Sequence, residues 1–158
     1  MGKWASYVVR RGDDEELDDG YRLDAVEGWQ WWEFPVLDEE PLVQLVGTGA
    51  AISATVADSD MCVVTGWDGG QEQWEWVFGE VAYAEAAAAE GLPAPDPEEL
   101  AETLPERAAA LAVAVVEWAK AAGLSADVTS VTAVLETDHD IAEDGLQAVL
   151  GAVGIVDN

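Results

Sequence analysis

Ile52-Ser53-Ala54-Thr55-Val56-Ala57-Asp58-Ser59-Asp60-Met61-Cys62-Val63-Val64-Thr65-Gly66-Trp67 is the stretch on which the fold turns. Two runs rich in β-branched and other apolar residues flank a three-residue polar loop, which predicts a β-hairpin. Beyond it, Asp68-Gly69-Gly70 makes another turn, and Gln73-Trp74-Glu75-Trp76-Val77-Phe78 reads as the next strand. Before it, Tyr21-Arg22-Leu23-Asp24-Ala25-Val26-Glu27 alternates apolar with charged residues and predicts a half-buried strand. Gly28 leads into Trp29-Gln30-Trp31-Trp32-Glu33-Phe34, and Pro35 limits its extension in a sheet. Lys3 to Val9 is a shorter run with β-formers, and Leu42 to Val46 fits strand or helix equally well.

The second half changes character. Val81 to Glu90 reads as a helix ended by Gly91, and Leu92-Pro93-Ala94-Pro95 is a stiff connector. Asp96-Pro97-Glu98-Glu99 combines an N-cap acid, a proline at the first helical position and acids near the positive end of the dipole. Thr103-Leu104-Pro105-Glu106 repeats that logic as a capping box, predicting a new helix to about Ala122. In it Arg107, Glu117 and Lys120 are nearly the only polar residues, so it belongs in a deep core or at an interface. Asp127 to Glu136 is ambiguous, because Val128, Thr129, Val131, Thr132 and Val134 favour a strand among helical neighbours. Asp140, with Glu143 three residues on, caps a last helix striped by Leu146, Val149, Leu150 and Val153 and ended by Gly154. A β-rich front and an α-rich back define an α+β fold. A mainly antiparallel sheet over about residues 3–78 is expected to pack against a C-terminal Ala-rich helical half. The chain of 158 residues is expected to be one domain, with an internal boundary at 91–97.

Charge narrows the functional classes. The chain carries 33 acids against 6 bases, a formal net charge of −27. Between Arg22 and Arg107 there is no lysine or arginine, yet that gap holds nineteen Asp and Glu. Acids are spread along the whole chain, so the folded body itself is anionic. Such a surface repels itself and disfavours direct contact with nucleic acid or anionic membrane. Half of the residues are apolar and eight are tryptophan, too hydrophobic for a disordered acidic tail. No stretch approaches the ~20 apolar residues that span a bilayer, and the N-terminus lacks the apolar core of a signal peptide. Cys62, the only cysteine, reads as a buried small hydrophobe. Together these features predict a soluble, cytoplasmic protein.

No constellation fixes a reaction. The acids of Asp13-Asp14-Glu15-Glu16 are contiguous, so they cannot all converge on a calcium ion. In Asp138-His139-Asp140-Ile141-Ala142-Glu143-Asp144-Gly145 the third acid and the glycine are misplaced for an EF-hand. His139 reads as an exposed imidazole, its pKa raised by the flanking acids. Gly47-Thr48-Gly49 lacks the third glycine of a dinucleotide loop, and no serine sits in a nucleophile elbow. No catalytic residue, metal or cofactor is assigned.

The tryptophans supply the candidate site. Residues two apart on a strand share a face, so Trp29 and Trp31 point one way, Trp32 and Phe34 the other, and Trp74 with Trp76 together. If the two strands pair, four indoles line one surface, either as an aromatic core or as a platform for a partner. The expected contact face comprises Trp29, Trp31, Trp32, Glu33, Asp68, Trp74, Glu75 and Trp76. The favoured function is a non-enzymatic protein-binding module for a basic protein, of the acidic-inhibitor, immunity-like or nucleic-acid-mimic kind. One alternative is acidity that reflects solvation in concentrated salt. Another is a small-ligand binder or enzyme with a Trp/carboxylate site. The apolar helix 104–122 could also pair with its copy in a homodimer.

Overall fold

The computed structural model describes residues 4–11, 20–23, 25, 28–57, 60–137, 139 and 142–156. Its sheet contains β1 (Ala5–Arg11), β2 (Tyr21–Leu23), β3 (Trp29–Phe34), β4 (Ala51–Ala57), β5 (Met61–Asp68) and β6 (Gln71–Phe78). They lie in the order β2-β3-β1-β4-β5-β6, and every pairing is antiparallel. The deciding stretch forms the β4–β5 hairpin, paired from Ala51↔Trp67 to Ala57↔Met61. Asp58 and Ser59 of its loop lie outside the described residues. The helices are α1 (Glu39–Val46), α2 (Glu80–Ala89), α3 (Pro97–Ala121), α4 (Val128–Glu136) and α5 (Ala142–Ala152). This is the expected α+β segregation, an antiparallel sheet in the front half and α3 to α5 in the back.

Strand alternation builds two layers of core. On one face, Tyr7, Val9, Trp29, Ile52, Val64, Trp74 and Trp76 meet Ala108, Ala112, Val115 and Trp118 of α3. Val131 and Leu135 of α4 and Leu146, Val149 and Leu150 of α5 complete that core. On the other face, Val8, Trp32, Phe34, Ala51 and Trp67 pack with Val46, Leu42 and Val43 of α1. The first core draws on both sides of residues 91–97, so the Pro-rich connector links α2 to α3 without dividing two hydrophobic interiors.

Tertiary packing resolves the ambiguous segments. Residues 42–46 belong to α1, whose Leu42, Val43 and Val46 recur at helical spacing against the sheet. Residues 128–136 are helical as α4 despite their β-branched content. Asp127 caps that helix by accepting from Thr129 N and Ser130 N, and Val131, Val134 and Leu135 fall on its core face. Thr132 Oγ1 donates to Val128 O, a local bond that suits a threonine in a helix.

The expected break at Thr103 is absent. α3 runs unbroken from Pro97 to Ala121, with Pro105 inside it. Proline removes the N–H that would reach residue 101. Around this turn Thr103 Oγ1 donates to Glu99 O at 2.9 Å, and Arg107 Nη2 reaches back to Leu100 O at 2.9 Å. Both side-chain donors thus bind carbonyls of the turn just before Ala101. β2 is shorter than the alternating run it begins; Asp24, Val26 and Glu27 lie outside the described residues. So do Asp140 as a cap, and all of the acidic loop 12–20 except Gly20. Past α5, Gly154 takes φ 85° and Ile155 N donates to Leu150 O, closing the helix end as expected.

Gly66 and Gly79 are among the glycines fixed by close approach. Gly66 pairs with Trp74 across β5–β6, and a Cβ on Gly66 would fall on the Trp74 indole. Gly79 has φ 85°, and a Cβ there would fall on the Asp60 carbonyl oxygen. Glycine at that position lets the chain turn out of β6 into α2.

Trp118 ties α3 to the sheet. Its Nε1 donates to Trp67 O at 2.9 Å, and its ring meets Trp74 edge-on at 5.9 Å. Trp118→Ala is expected to lower the unfolding free energy by about 3–5 kcal/mol in denaturant titrations, as for other buried large-to-small changes. Val113→Ala, on the outer side of the same helix, should change it by no more than about 0.5 kcal/mol.

Candidate functional site

The two tryptophan strands do not pair. β3 and β6 are separated by β1, β4 and β5, so the anticipated four-indole ladder does not form. β1 sets this arrangement by pairing with β3 on one edge and β4 on the other. The indoles still share a face, but it is the one the helices cover. Trp29 is 5% exposed, Trp74 5% and Trp76 7%, while Trp31 is half-buried against the same core. Trp32, 3% exposed, packs on the opposite face with Phe34. Neither group forms an open aromatic platform.

The candidate acids divide in the same way. Glu33 is half-buried on β3 and accepts the Tyr7 hydroxyl proton at 2.8 Å. Asp68 and Glu75 are exposed, the first at the end of β5 and the second in the middle of β6. The structure therefore brings Trp74, Glu75 and Trp76 together on one edge strand, with Asp68 near its start. Trp29, Trp31, Trp32 and Glu33 lie on the other half of the sheet.

Beside β6 the surface is concave. A groove of about 470 Å³ runs between Glu75, Trp76 and Val77 of the strand and Ala110, Leu111 and Ala114 of α3. It adjoins a cleft of about 280 Å³ that reaches Leu104, Leu135 and Val81. Trp76, Val77, Glu80 and Arg107 line both. Arg107 is fixed as part of the wall. Its Nε donates to Thr103 Oγ1 at 3.1 Å, Nη1 to Glu80 Oε2 at 3.3 Å and Nη2 to Leu100 O at 2.9 Å. Its guanidinium carbon lies 5.7 Å from the Trp76 ring centre. Sequence reasoning overlooked this residue. The available signal was an arginine closing an 84-residue stretch without bases, placed on an otherwise apolar helix.

The remaining reactive groups are occupied structurally. Cys62 is fully buried, and burial, reinforced by Glu143, pushes its thiol up to about 12. His139 is partly buried rather than openly exposed: its ring meets Phe78 edge-on at 5.3 Å and its Nε2 lies 3.3 Å from Val134 O. Its flanking acids, Asp138 and Asp140, lie outside the described residues. Among the described residues no three His, Cys, Asp or Glu side chains are grouped so as to hold a metal ion. Asp127 is held below its ordinary value of 3.8, first by the Ser130 hydroxyl and then by backbone N–H donors of the helix it caps.

Two measurements follow from these environments. Because thiolate is the reactive form, Cys62 should resist a thiol reagent at about pH 8 while the protein is folded and react fully once unfolded. Asp127, with its pKa lowered on folding, stabilises the fold above the ordinary carboxylate range and loses that contribution as pH falls through its folded pKa. The stability difference between this chain and Asp127→Ala should accordingly be present near neutral pH and shrink in acid, read by denaturant titration. No protein-family model, curated protein or solved structure matches this chain in sequence or fold comparison.

Proposed function

We propose that this protein is a protein-binding module whose partner presents a basic surface. One observation carries this most directly: the acids far outnumber the bases, and the four arginines lie against the fold's own groups, Arg11 and Arg22 while remaining exposed. Arg11 lies 5.0 Å from the Trp29 ring centre, and Arg22 lies 6.0 Å from that of Trp32. Arg107 is bound as described above, and Arg10 Nη1 donates to Leu45 O at 3.0 Å. Four arginines and two lysines leave the chain strongly anionic, with 33 acids against 6 bases. An anionic body of that kind attracts a cationic partner from a distance and speeds its encounter.

A second feature supports binding over chemistry. The concave surface beside β6 is walled by apolar side chains with a few charged groups, and its one arginine already holds three acceptors. Association that depends on such a surface weakens as salt shortens the range of charge interactions to ~3 Å at 1 M.

The test is affinity capture with tagged protein, elution on a salt gradient, and reconstitution of the recovered pair from purified components. A basic protein released at moderate salt and rebinding in stoichiometric ratio is the expected result. Recovery of the bait alone, or of assorted basic proteins in trace amounts, would overturn the proposal. The charge would then be best explained as solvation in concentrated salt.

A further inference from the structure

The two edges of the sheet are unlike each other. One is β2, three residues long, which offers little backbone for another strand. The other is β6, eight residues from Gln71 to Phe78, paired among the described residues with β5 on one side only and carrying one register shift, at Gln73. Long edges invite pairing with another chain, and proteins usually shorten, twist or cover them. Here Glu80 at the start of α2 and Ala110, Leu111 and Ala114 of α3 bound a groove of about 470 Å³ beside the strand.

We propose that β6 receives an extended segment of a basic partner as an added antiparallel or parallel strand, a seventh in the sheet. This rests on the partner being basic, as argued above, and adds the mode of recognition. Strand addition draws affinity from main-chain hydrogen bonds and specificity from alternate side chains. The two sides of β6 specify what those alternates are. Trp74, Trp76 and Phe78 face the helices, so every second residue of the guest meets apolar surface from Leu111, Ala110 and Ala114. Glu75, exposed at the groove's rim, alternates with Trp74 and Trp76, and the register shift at Gln73 brings the exposed Glu72 opposite Trp67, two places from the Thr65 that pairs with Glu75, so the intervening residues of the guest meet carboxylates. A guest of alternating small apolar and basic residues satisfies both. A second copy of this chain does not. Antiparallel pairing of two β6 edges would set the Glu72 and Glu75 carboxylates of both copies along one seam, on bodies of charge −27 each.

The probe is a nine-residue peptide of alternating lysine and valine, compared with the same sequence N-methylated at every second residue. Amide exchange and chemical shifts of the ¹⁵N-labelled protein report where it binds. The unmodified peptide should slow exchange of the β6 amides at least tenfold, and N-methylation, which removes strand donors while keeping charge, should weaken binding at least tenfold. Glu72→Lys/Glu75→Lys, on exposed positions, should weaken binding of the lysine–valine peptide at least tenfold. If both lysine peptides bind alike and the β6 amides are unprotected, strand addition is overturned while attraction to basic partners stands. If neither binds even at low salt, the basic-partner proposal fails with it.

Discussion

Large indoles on the sheet and small alanines on the helix facing it are what the rest of the structure depends on. Trp29, Trp74 and Trp76 project from one face, and α3 meets that face with Ala108, Ala112, Val115 and Ala119. Facing positions that alternate in size fill the layer between elements without voids. Trp118, the single indole on α3, fits because Gly66 leaves room for Trp74, against which Trp118 sets its edge. Its N–H then binds Trp67 O, joining helix and sheet by a buried hydrogen bond. Because α3 is seated in this way, its groove side toward β6 and its outer side, with Val113 48% exposed, are both determined.

The same aromatic faces dispose of the arginines. Three of the four lie over indole rings, Arg11 on Trp29, Arg22 on Trp32 and Arg107 on Trp76. Arginine suits this role because its planar, weakly hydrated guanidinium stacks on aromatic faces while still donating at its rim. Arg11 also lies against Gly123 just beyond α3, where the negative end of the helix dipole favours a cation. The arginines thus lie against aromatic faces of the fold, Arg11 and Arg22 from exposed positions.

An acidic exterior and a long edge strand are connected features. Glutamates on β6 oppose pairing of like edges and leave the edge open to a guest of opposite charge. Arg107, neutralised by Glu80 and held by Thr103 and Leu100, shapes the groove without presenting a free cation to it. Of the helix 104–122 that sequence suggested for self-association, Ala108, Ala112, Val115, Trp118 and Ala119 are in the core, while Val113 lies exposed on the outer side.

Sequence alone determined the segregation into sheet and helices, because side-chain period and turn residues act locally. The Ile52–Trp67 hairpin, the Asp96-Pro97 helix start and the burial of Cys62 all follow from neighbours within a few positions. It also determined the overall charge, which no fold can change. What needed tertiary structure is whatever depends on residues far apart in the chain. Residues 128–136 become a helix because their apolar stripe meets the core, overriding β-branched propensity. Pro105 lies inside α3, where Thr103 and Arg107 side chains bind carbonyls of the preceding turn. The strand order, set by β1 returning between β3 and β4, sends the two tryptophan pairs to separate halves of one buried face. That order also leaves β6, with Glu75 and the groove beside it, at the open edge. Local pattern sets which face of a strand is apolar, but only long-range packing decides which faces and edges stay uncovered.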